Sequence, residues 1–519
     1  MKKQITSILF LCIGIIAVFA QEPVVKRGKP ITHNFAPSVR IKQVFMPAES
    51  GFYALRNAES TNALNSGFIL EKYDDKYAMI SSTDIRSTEG TLGNSIHFRT
   101  LIPLKEKTAV FYTGYKKASK ESFCLVRYIL PDGSMDKTDL VIETLKADKV
   151  MNSGSFDLTA SPDLSKILLT TTFPSVKGEK AKIRVKVFDT KSMKELWSKE
   201  AELDFDARKG SIAESLVDNE GNAYLLGKYV KERGKDAYNI YTYSMANSQW
   251  QTIEIDPDKK WWFGKQNHLG FNANGDVVFV AFLNETVATH YLAIQYVRIN
   301  GLNQSLEANK SIGLEGKDNN GNFYGMKLNW IIKGVESQSN GTTIIIAEDE
   351  NMTRTTASST AGDYNYKFQN KDIRVFAILP DGDMAWVTKL YKNQNITIKN
   401  TDHRWDSFVY TIANDKIYIV YNNTEVFDTW NRNVRNFVPT YLGREFAFKT
   451  YYPVFLYAIE PNGALVHNMK YGLPLYEFQK DMVYSTNINS SLFLPLPNGI
   501  LMMEEKPDIK KYQFGKIYF

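Results

Sequence analysis

The side chains best suited to ligand binding are tryptophans in the polar stretches between short apolar runs of this chain. They are Trp261, Trp262, Trp405 and Trp430. The face of a tryptophan can stack on a sugar ring or a peptide, while its indole N–H donates a hydrogen bond. The alternative for each is ordinary packing between structural elements, because aromatic side chains are often largely buried.

Tyrosines and arginines in two of these stretches extend the candidate ligand-binding set. They are Tyr364, Tyr366, Arg432 and Arg435. A guanidinium group can bind a carboxylate or a sulfate through two parallel hydrogen bonds. The alternative for the arginines is a solvated surface position, where isolated charges contribute little.

Closely spaced carboxylates raise the question of glycoside hydrolysis, which uses two such groups. Glu348, Asp349 and Glu350 are consecutive, and Asp402 is close to Asp406. Successive residues of a strand point to opposite faces, so adjacency in sequence is poor evidence for a catalytic pair. The chain also has no Gly-rich phosphate loop, Gly-x-Ser-x-Gly elbow or Cys–His signature. No catalytic constellation is recognisable.

Residue spacing gives little support to metal or cofactor chemistry. The six histidines are widely scattered and lack zinc-type spacing. Two Asp/Asn-rich turns, 218–222 and 318–322, superficially resemble calcium loops, but Tyr229 and Asn329 occupy the twelfth positions where an acidic residue is needed. We therefore predict no metal site and no cofactor.

The N-terminus has the pattern of a secretory signal peptide. Two lysines precede an apolar run that ends at Phe19, and Ala20 offers a small residue for cleavage. The run is too short for a comfortable membrane span of about 20 residues. We expect 1–20 to be removed and 21–519 to be exported to the periplasm, the outer-membrane surface or the medium, with no transmembrane segment left.

Charge and cysteine content narrow the class of protein further. The 519 residues carry a net charge of +6 with acidic and basic residues interspersed, and there is no basic run of the kind that binds nucleic acid. Cys12 follows Leu11, where a lipoprotein signal needs a small residue, so lipidation is not expected. Cys124 alone would survive cleavage, and its apolar neighbours predict a buried structural thiol.

A turn signal recurs along the chain at a regular interval. It falls at Ser50, Glu106, Asp163, Asn219, Asn274, Asn340, Asn414 and Asn498. The first four intervals are 55 to 57 residues long, and the next three grow to 66, 74 and 84 where polar insertions occur. Each unit contains about four short β-rich runs, and such a period is typical of a β-propeller.

We therefore predict an all-β chain that forms a single β-propeller of four-stranded antiparallel blades over 21–519. Eight markers favour eight blades, and seven is the alternative if one unit is degenerate. The last unit offers only three strands, so we expect 24–32 to supply the fourth and leave no unpaired edge. A row of β-sandwich domains is the other alternative, but the even period and the lack of Pro/Ser-rich linkers argue against it.

Two groups of segments resemble known propellers. SPDLSKILL at 161–169 resembles the repeat of exported TolB-type propellers. Similarity to uncharacterised exported bacterial β-propeller proteins is found in IIAE at 345–348, KDI at 371–373, LPDGDMAW at 379–386 and IYIVYNN at 417–423. The resemblance implies a propeller fold and an exported protein, and it brings no catalytic residues.

Propeller geometry also predicts which face is functional. Connections between first and second and between third and fourth strands share one face, and here they are short. The other connections share the opposite face and include insertions at about 348–370 and 424–452. Because function concentrates in loops on a rigid scaffold, we expect a non-catalytic binding or scaffold protein of the bacterial cell envelope that recognises a protein or glycan there. The alternative is a propeller enzyme that acts on an extracellular glycan or peptide with loop carboxylates.

Overall fold

Nearly all of the regular secondary structure in the described chain is β-strand. The computed structural model describes residues 23–32, 41–45, 51–57, 67–85, 94–104, 107–136, 138–231, 235–258, 260–284, 290–314, 326–327, 329–356, 364–398, 407–422, 454–466, 473–474, 487–506 and 511–519. Within these ranges the only helical element is a 3₁₀ turn at Val150–Asn152.

The strands form eight antiparallel sheets, and the four main strands of each pair in the order of the sequence, except that an N-terminal strand completes the last sheet. Blade 1 contains β3 (Ile41–Phe45), β4 (Phe52–Asn57), β5 (Phe68–Tyr73) and β6 (Met79–Asp84). Blade 2 contains β7 (Asn94–Pro103), β8 (Thr108–Lys116), β9 (Glu121–Ile129) and β10 (Leu140–Lys146). Blade 3 contains β11 (Ser155–Ala160), β12 (Lys166–Thr172), β13 (Lys180–Asp189) and β14 (Glu195–Asp206). Blade 4 contains β15 (Gly210–Val217), β16 (Ala223–Val230), β17 (Asp236–Ser244) and β18 (Gln249–Ile255).

The second half of the chain repeats this plan with a few additional strands. Blade 5 contains β19 (Trp262–Phe271), β20 (Val277–Asn284), β21 (His290–Ile299) and β22 (Leu306–Gly313), with β23 (Met326–Lys327) added. Blade 6 contains β24 (Trp330–Ser337), β25 (Thr343–Thr356), β26 (Tyr364–Ile378) and β27 (Met384–Leu390), with β28 (Gln394–Ile398) added. Blade 7 contains β29 (Phe408–Ala413), β30 (Lys416–Asn422), β31 (Val454–Ile459) and β32 (Leu473–Pro474). Blade 8 contains β33 (Asn487–Leu496), β34 (Gly499–Lys506), β35 (Lys511–Tyr518) and β1 (Val24–Arg27), with β2 (Ile31–Thr32) added.

Blades are covered on both faces, which explains the continuous apolar runs in the sequence. In β12, Ile167 and Leu169 pack between blades 2 and 3, whereas Leu168 packs between blades 3 and 4. Successive strand residues point to opposite faces, so a strand covered on both sides needs apolar residues at successive positions. Full burial of each such side chain contributes about 1.5–3 kcal/mol.

Eight clusters of buried side chains join each blade to the next and close the ring. One of them joins blade 8 back to blade 1 through Phe52, Tyr73 and Phe514. The rings of Phe52 and Tyr73 stack with their centroids 4.9 Å apart, and Phe514 meets Phe52 edge-on at 4.6 Å. The chain is therefore an eight-bladed β-propeller, which confirms the predicted fold and removes the seven-blade alternative.

The N-terminal segment supplies the closing strand of blade 8. β1 pairs antiparallel with β35, placing Val24 opposite Tyr518 and Arg27 opposite Gly515. The Arg27 guanidinium donates to both carboxylate oxygens of Glu504, at 2.9 Å from Nε to Oε2 and 3.1 Å from Nη2 to Oε1. The ring is thus closed by strands from both ends of the chain, as the sequence predicted.

Tight turns between first and second strands occupy the six predicted marker positions from Asp163 onward, whereas Ser50 and Glu106 lie outside the described residues. Gly341 has a φ of 83°, and a Cβ atom there would lie 2.6 Å from Nδ2 of Asn274 in the neighbouring turn. Asn414 and Asp415 have φ values of 51° and 61°, as a type I′ turn requires. The repeating interval in the sequence is therefore one blade.

The insertion at 348–370 differs from its sequence interpretation. We expected a polar loop, but β25 continues to Thr356 and β26 begins at Tyr364, and the two strands remain paired throughout. Threonines such as Thr353 and Thr355 are good strand formers despite their polarity. The insertion at 424–452 lies outside the described residues.

The predicted burial of Cys124 is confirmed, because its side chain is fully enclosed. This burial, together with the nearby Glu143 carboxylate, raises the pKa of the thiol to about 12. A thiol with so high a pKa is almost entirely protonated at neutral pH and is therefore a poor nucleophile.

Candidate functional site at the blade-6 extension

Two strands of blade 6 continue beyond the rest of their sheet. β24 pairs with β25 only as far as Asp349, and β27 pairs with β26 only from Ile373 onward. Past these limits β25 and β26 remain paired with each other, and β28 pairs with the opposite edge of β26. We call residues 350–356, 364–370 and 394–398 the blade-6 extension. It projects from the face that carries the connections between second and third strands, which we call the upper face.

A buried ion network lies at the base of the blade-6 extension. The Lys392 ammonium donates to the Glu348 carboxylate and, at 2.7 Å, to Oε1 of Gln394. The side chains of Lys392 and Glu348 are both 0% exposed. Ser407, which immediately precedes blade 7, donates its hydroxyl to Oε2 of Glu348 at 2.5 Å. The network therefore joins the base of the blade-6 extension to the neighbouring blade.

A second lysine completes this network from the innermost strand of blade 6. The Lys333 ammonium lies 3.3 Å from Oε2 of Glu348 and 2.5 Å from Oε2 of Glu350. Lys333 is the additional residue in a β-bulge, because Ile332 and Gly334 pair with consecutive residues of β25. A β-bulge can change the direction of a side chain. Here the bulged residue is Lys333, and its ammonium contacts both the Glu348 and the Glu350 carboxylates.

A second bulge lies on the other side of the same hairpin. Between the pairs Glu348–Ile373 and Glu350–Asn370, β26 has two residues opposite the single Asp349 of β25. These two residues are Lys371 and Asp372. Asp372 forms an ion pair with Lys389 at 2.9 Å, whereas Lys371 lines a pocket beside Asp349.

That pocket is open to solvent and has a volume of about 320 Å³. We call it the extension pocket, and its described lining consists of Asn329, Asp349, Asn351, Gln369 and Lys371. The side-chain N–H of Asn329 donates to the Asp349 carboxylate, and the backbone carbonyl of Asn329 accepts from the Glu350 N–H at 3.1 Å. The volume falls at the lower end of the range for small-molecule sites.

Two polar side chains of the extension pocket are available to a ligand. Among the described residues, the Lys371 ammonium and the Asn351 amide make no hydrogen bond or ion pair, and both side chains are exposed. Gln369 donates from Nε2 to Oδ1 of Asn395 at 3.1 Å, which orients its amide. None of these residues has a sequence signal for ligand binding, although the carboxylate run at 348–350 lies beside them.

The structure places four of the predicted binding residues and does not bring them together. Trp261 is 4% exposed and packs in the core between blades 4 and 5. Trp262 is half-buried, with the Lys235 ammonium 3.6 Å from its ring centroid. Tyr364 and half-buried Tyr366 lie on β26 in the blade-6 extension. Their role in binding remains a prediction.

The other predicted binding residues are Trp405, Trp430, Arg432 and Arg435, and all lie outside the described residues. So do Asp402 and Asp406 of the candidate carboxylates. Of the remaining carboxylates, Glu348 is enclosed in the ion network, and Asp349 lines the extension pocket. Asp349 is therefore the carboxylate of the run 348–350 that a ligand in this pocket can reach.

Two carboxyl groups on innermost strands have a raised pKa. Glu214 accepts from the Leu269 N–H at 2.9 Å, and Glu336 accepts from the Tyr410 hydroxyl at 3.1 Å, so each hydrogen bond crosses from one blade to the next. Burial raises the pKa of both carboxyls above the ordinary value of 4.5. Burial also lowers the pKa of His268, whose Nδ1 lies 3.9 Å from Oε2 of Glu214.

Replacing Glu336 with glutamine is expected to flatten the pH dependence of stability. Because the native pKa of Glu336 is raised, the folded state holds the proton more tightly, and stability falls as pH rises from about 4.5 through the native pKa. Glu336→Gln keeps an oxygen acceptor for Tyr410 and cannot ionise. Urea unfolding from pH 4 to pH 8 measures the slope, and equal slopes for parent and variant would contradict the prediction.

The described ranges contain neither a cluster of metal ligands nor a helix suited to crossing a membrane. No group of three or more His, Cys, Asp or Glu side chains there is arranged to hold a metal ion. None of the helices in that part of the chain has the length and apolarity that a bilayer span requires.

Comparison with known proteins finds other propellers and identifies no family. No family model matches the chain, and no curated protein matches it. Similar solved structures include the WD40 domain of SCAP from fission yeast, with 6% identity over 97% of this chain and 99% of that chain and a TM-score of 0.35. They also include an α-L-arabinanase from Penicillium chrysogenum, with 10% identity over 63% of this chain and 93% of that chain and a TM-score of 0.34. A third is TolB from Acinetobacter baumannii, with 11% identity over 81% of this chain and 78% of that chain and a TM-score of 0.23. At these identities and scores the likenesses carry no argument about function, and the propeller class rests on the blades themselves.

Proposed function

We propose that this chain is an exported, non-catalytic binding or scaffold propeller of the bacterial cell envelope. It holds an envelope protein or glycan on its upper face, with the blade-6 extension as the main contact. The observation that supports this proposal is the combination of a three-stranded projection, a buried ion network at its base and an open polar pocket beside it. A projection supported in this way can bind a partner without first being ordered, which favours affinity.

The position of the closing strand is compatible with export. β1 begins at Val24, so the cleavage after Ala20 that the sequence predicts would leave the whole strand in the mature protein. Removal of 1–20 would therefore preserve the Arg27–Glu504 ion pair and the closed ring.

A shortened variant tests the proposal. Residues 352–368 are replaced by a short Gly-Ser turn, which removes most of the blade-6 extension but keeps Glu348, Glu350 and the ion network. The tagged parent and the variant are cross-linked in the native envelope, and captured proteins and glycans are identified by mass spectrometry. We expect a partner of the parent to be lost by the variant, because the main contact surface has gone.

Two controls make the result interpretable. Circular dichroism and urea unfolding establish that the shortened variant is folded. Leu302→Ser alters a 94% exposed side chain in a turn on the opposite face, and this variant should keep every partner. Partners that survive the shortening, or that are lost with Leu302→Ser, would contradict the assignment to the upper face.

An enzymatic role is the alternative, and Asp349 is the residue that would support it. This carboxylate lines the extension pocket and is accessible to a substrate there. Incubation of the parent and of Asp349→Asn with envelope glycans and peptides separates the two functions. Product formation by the parent that is lost in Asp349→Asn would replace the binding proposal with the enzymatic one.

A further inference from the structure

The extension pocket has the chemistry of a carbohydrate site. We infer that it binds a single sugar residue of a neutral glycan through the sugar hydroxyl groups. This inference rests on the proposed function and specifies its ligand class. It depends on the charge balance of the lining, on its mixture of donors and acceptors, and on the structure that holds it in place.

Charge balance favours an uncharged ligand. The described lining contains one carboxylate, Asp349, and one ammonium, Lys371, together with three amides. A ligand with a single charge would meet one like charge at short range, and like charges disfavour each other. A neutral hydroxylated ligand can instead accept from the ammonium and donate to the carboxylate, and both of these hydrogen bonds are charge-assisted.

The amides supply the remaining complementarity. A hydroxyl group both donates and accepts, and an Asn or Gln side chain offers an oxygen acceptor beside two N–H donors. Asn351 projects all of these from an exposed position, and the hydrogen bond from Gln369 to Asn395 leaves Oε1 of Gln369 as an acceptor. Each hydroxyl group of a sugar ring can both donate and accept a hydrogen bond, so neighbouring hydroxyls can pair with several of these amide, carboxylate and ammonium groups at once.

Three of the five described lining side chains are held in place before any ligand binds, Asn329 and Asp349 by each other and Gln369 by Asn395. Asp349 lies opposite Lys371 and Asp372 at the bulge in the β25–β26 pair, and Asp349 and Lys371 line the same pocket. Asn329 is fixed by its bonds to Asp349 and to the Glu350 N–H, and the base of the hairpin is held by the Glu348–Lys392 pair. Preorganised polar groups lose little entropy when a ligand binds, which is important for a ligand that offers mainly hydrogen bonds.

Ligand-observed saturation-transfer NMR with defined probes tests the inference on the full exported chain. The uncharged probes are the methyl glycosides of glucose, galactose, mannose and N-acetylglucosamine, and the ionic probes are glucuronate, which is an anion, and alanine, which is a zwitterion. We expect saturation transfer to at least one neutral probe. Asn351→Ala and Asp349→Asn should each weaken this binding about tenfold, because each removes hydrogen bonds that the sugar makes in the pocket.

A matched control is Asn247→Ala, which makes the same change at an exposed position in a turn on the opposite face. It should bind the probe as the parent does. The inference is overturned if no neutral probe binds, if the pocket variants bind as tightly as the parent, or if alanine or glucuronate binds in preference to the neutral sugars. In these cases the proposed function still stands if the shortened variant loses a partner that Asn351→Ala retains.

Discussion

Lys392→Met is expected to lower the free energy of unfolding by about 3 kcal/mol, because it leaves a buried carboxylate without its principal partner. Glu348 and Lys392 are both 0% exposed, so water cannot replace the lost ammonium. The loss falls at the lower end of the range for buried pairs, because Lys333 remains 3.3 Å from Glu348. Urea unfolding measures the change in stability. Hydrogen exchange should show faster exchange of the amides of 350–356 and 364–370.

A double-mutant cycle shows whether the effect comes from the pair. Lys392→Met combined with Glu348→Gln should cost clearly less than the sum of the two single changes, because no unpaired charge is left. Lys120→Met is the surface control, since its ammonium lies 3.3 Å from Asp148 with both side chains largely exposed, and it should leave stability unchanged. The stabilising role of the Glu348–Lys392 pair would be contradicted if the effects of the two single changes on the free energy of unfolding were additive. It would also be contradicted if Lys392→Met lowered stability no more than Lys120→Met.

Deletion of 23–32 is expected to open the ring and to lower the free energy of unfolding by about 5 kcal/mol or more, because strand hydrogen bonds, apolar burial and the Arg27–Glu504 ion pair are lost. The deletion removes β1 and β2, the two N-terminal strands that pair with β35 on the edge opposite β34. It also leaves Glu504, whose side chain is 1% exposed, without the Arg27 guanidinium. Val25 and Ile31 are lost from the cores on the two sides of blade 8.

The deleted protein should also associate, because β35 then presents an unpaired edge. Urea unfolding and light scattering after gel filtration measure both effects. A synthetic peptide of residues 23–32 should restore the stability of the deleted protein and return its gel-filtration profile to that of the parent, whereas the same peptide with Arg27→Met should restore less. A deleted protein with the parent's unfolding midpoint and size would contradict a closing role for β1.

The blade count and the closing strand were predictable from sequence because both depend on local signals. Turn residues such as Asn414 and Gly341 mark backbone conformations that few other residues adopt, and each marks one blade. Apolar runs such as Ile344–Ile345–Ile346 follow from burial on both faces of a blade. The missing fourth strand of the last unit then followed from the need to pair an open edge.

The candidate site was much less predictable. Polar composition at 348–370 suggested a loop, and only the pairing of β25 with β26 shows a strand extension. Glu348, Asp349 and Glu350 are equivalent in sequence, yet one is enclosed with Lys392, one lines the extension pocket and one contacts Lys333. Alternation along a strand and a bulge on each flanking strand produce this difference, and a bulge has no clear sequence signal.

The sequence by itself therefore determined the interval of one blade, the all-β class and the closing of the ring by strands from both ends of the chain. It also determined which face carries the long insertions. Tertiary structure alone decided which polar residues meet, because Lys333, Glu348, Lys392 and Ser407 come from separate segments that converge where blade 6 meets blade 7. Local patterns report the conformation and burial of a single strand. A site assembled across strands depends on register and on the packing of one blade against the next.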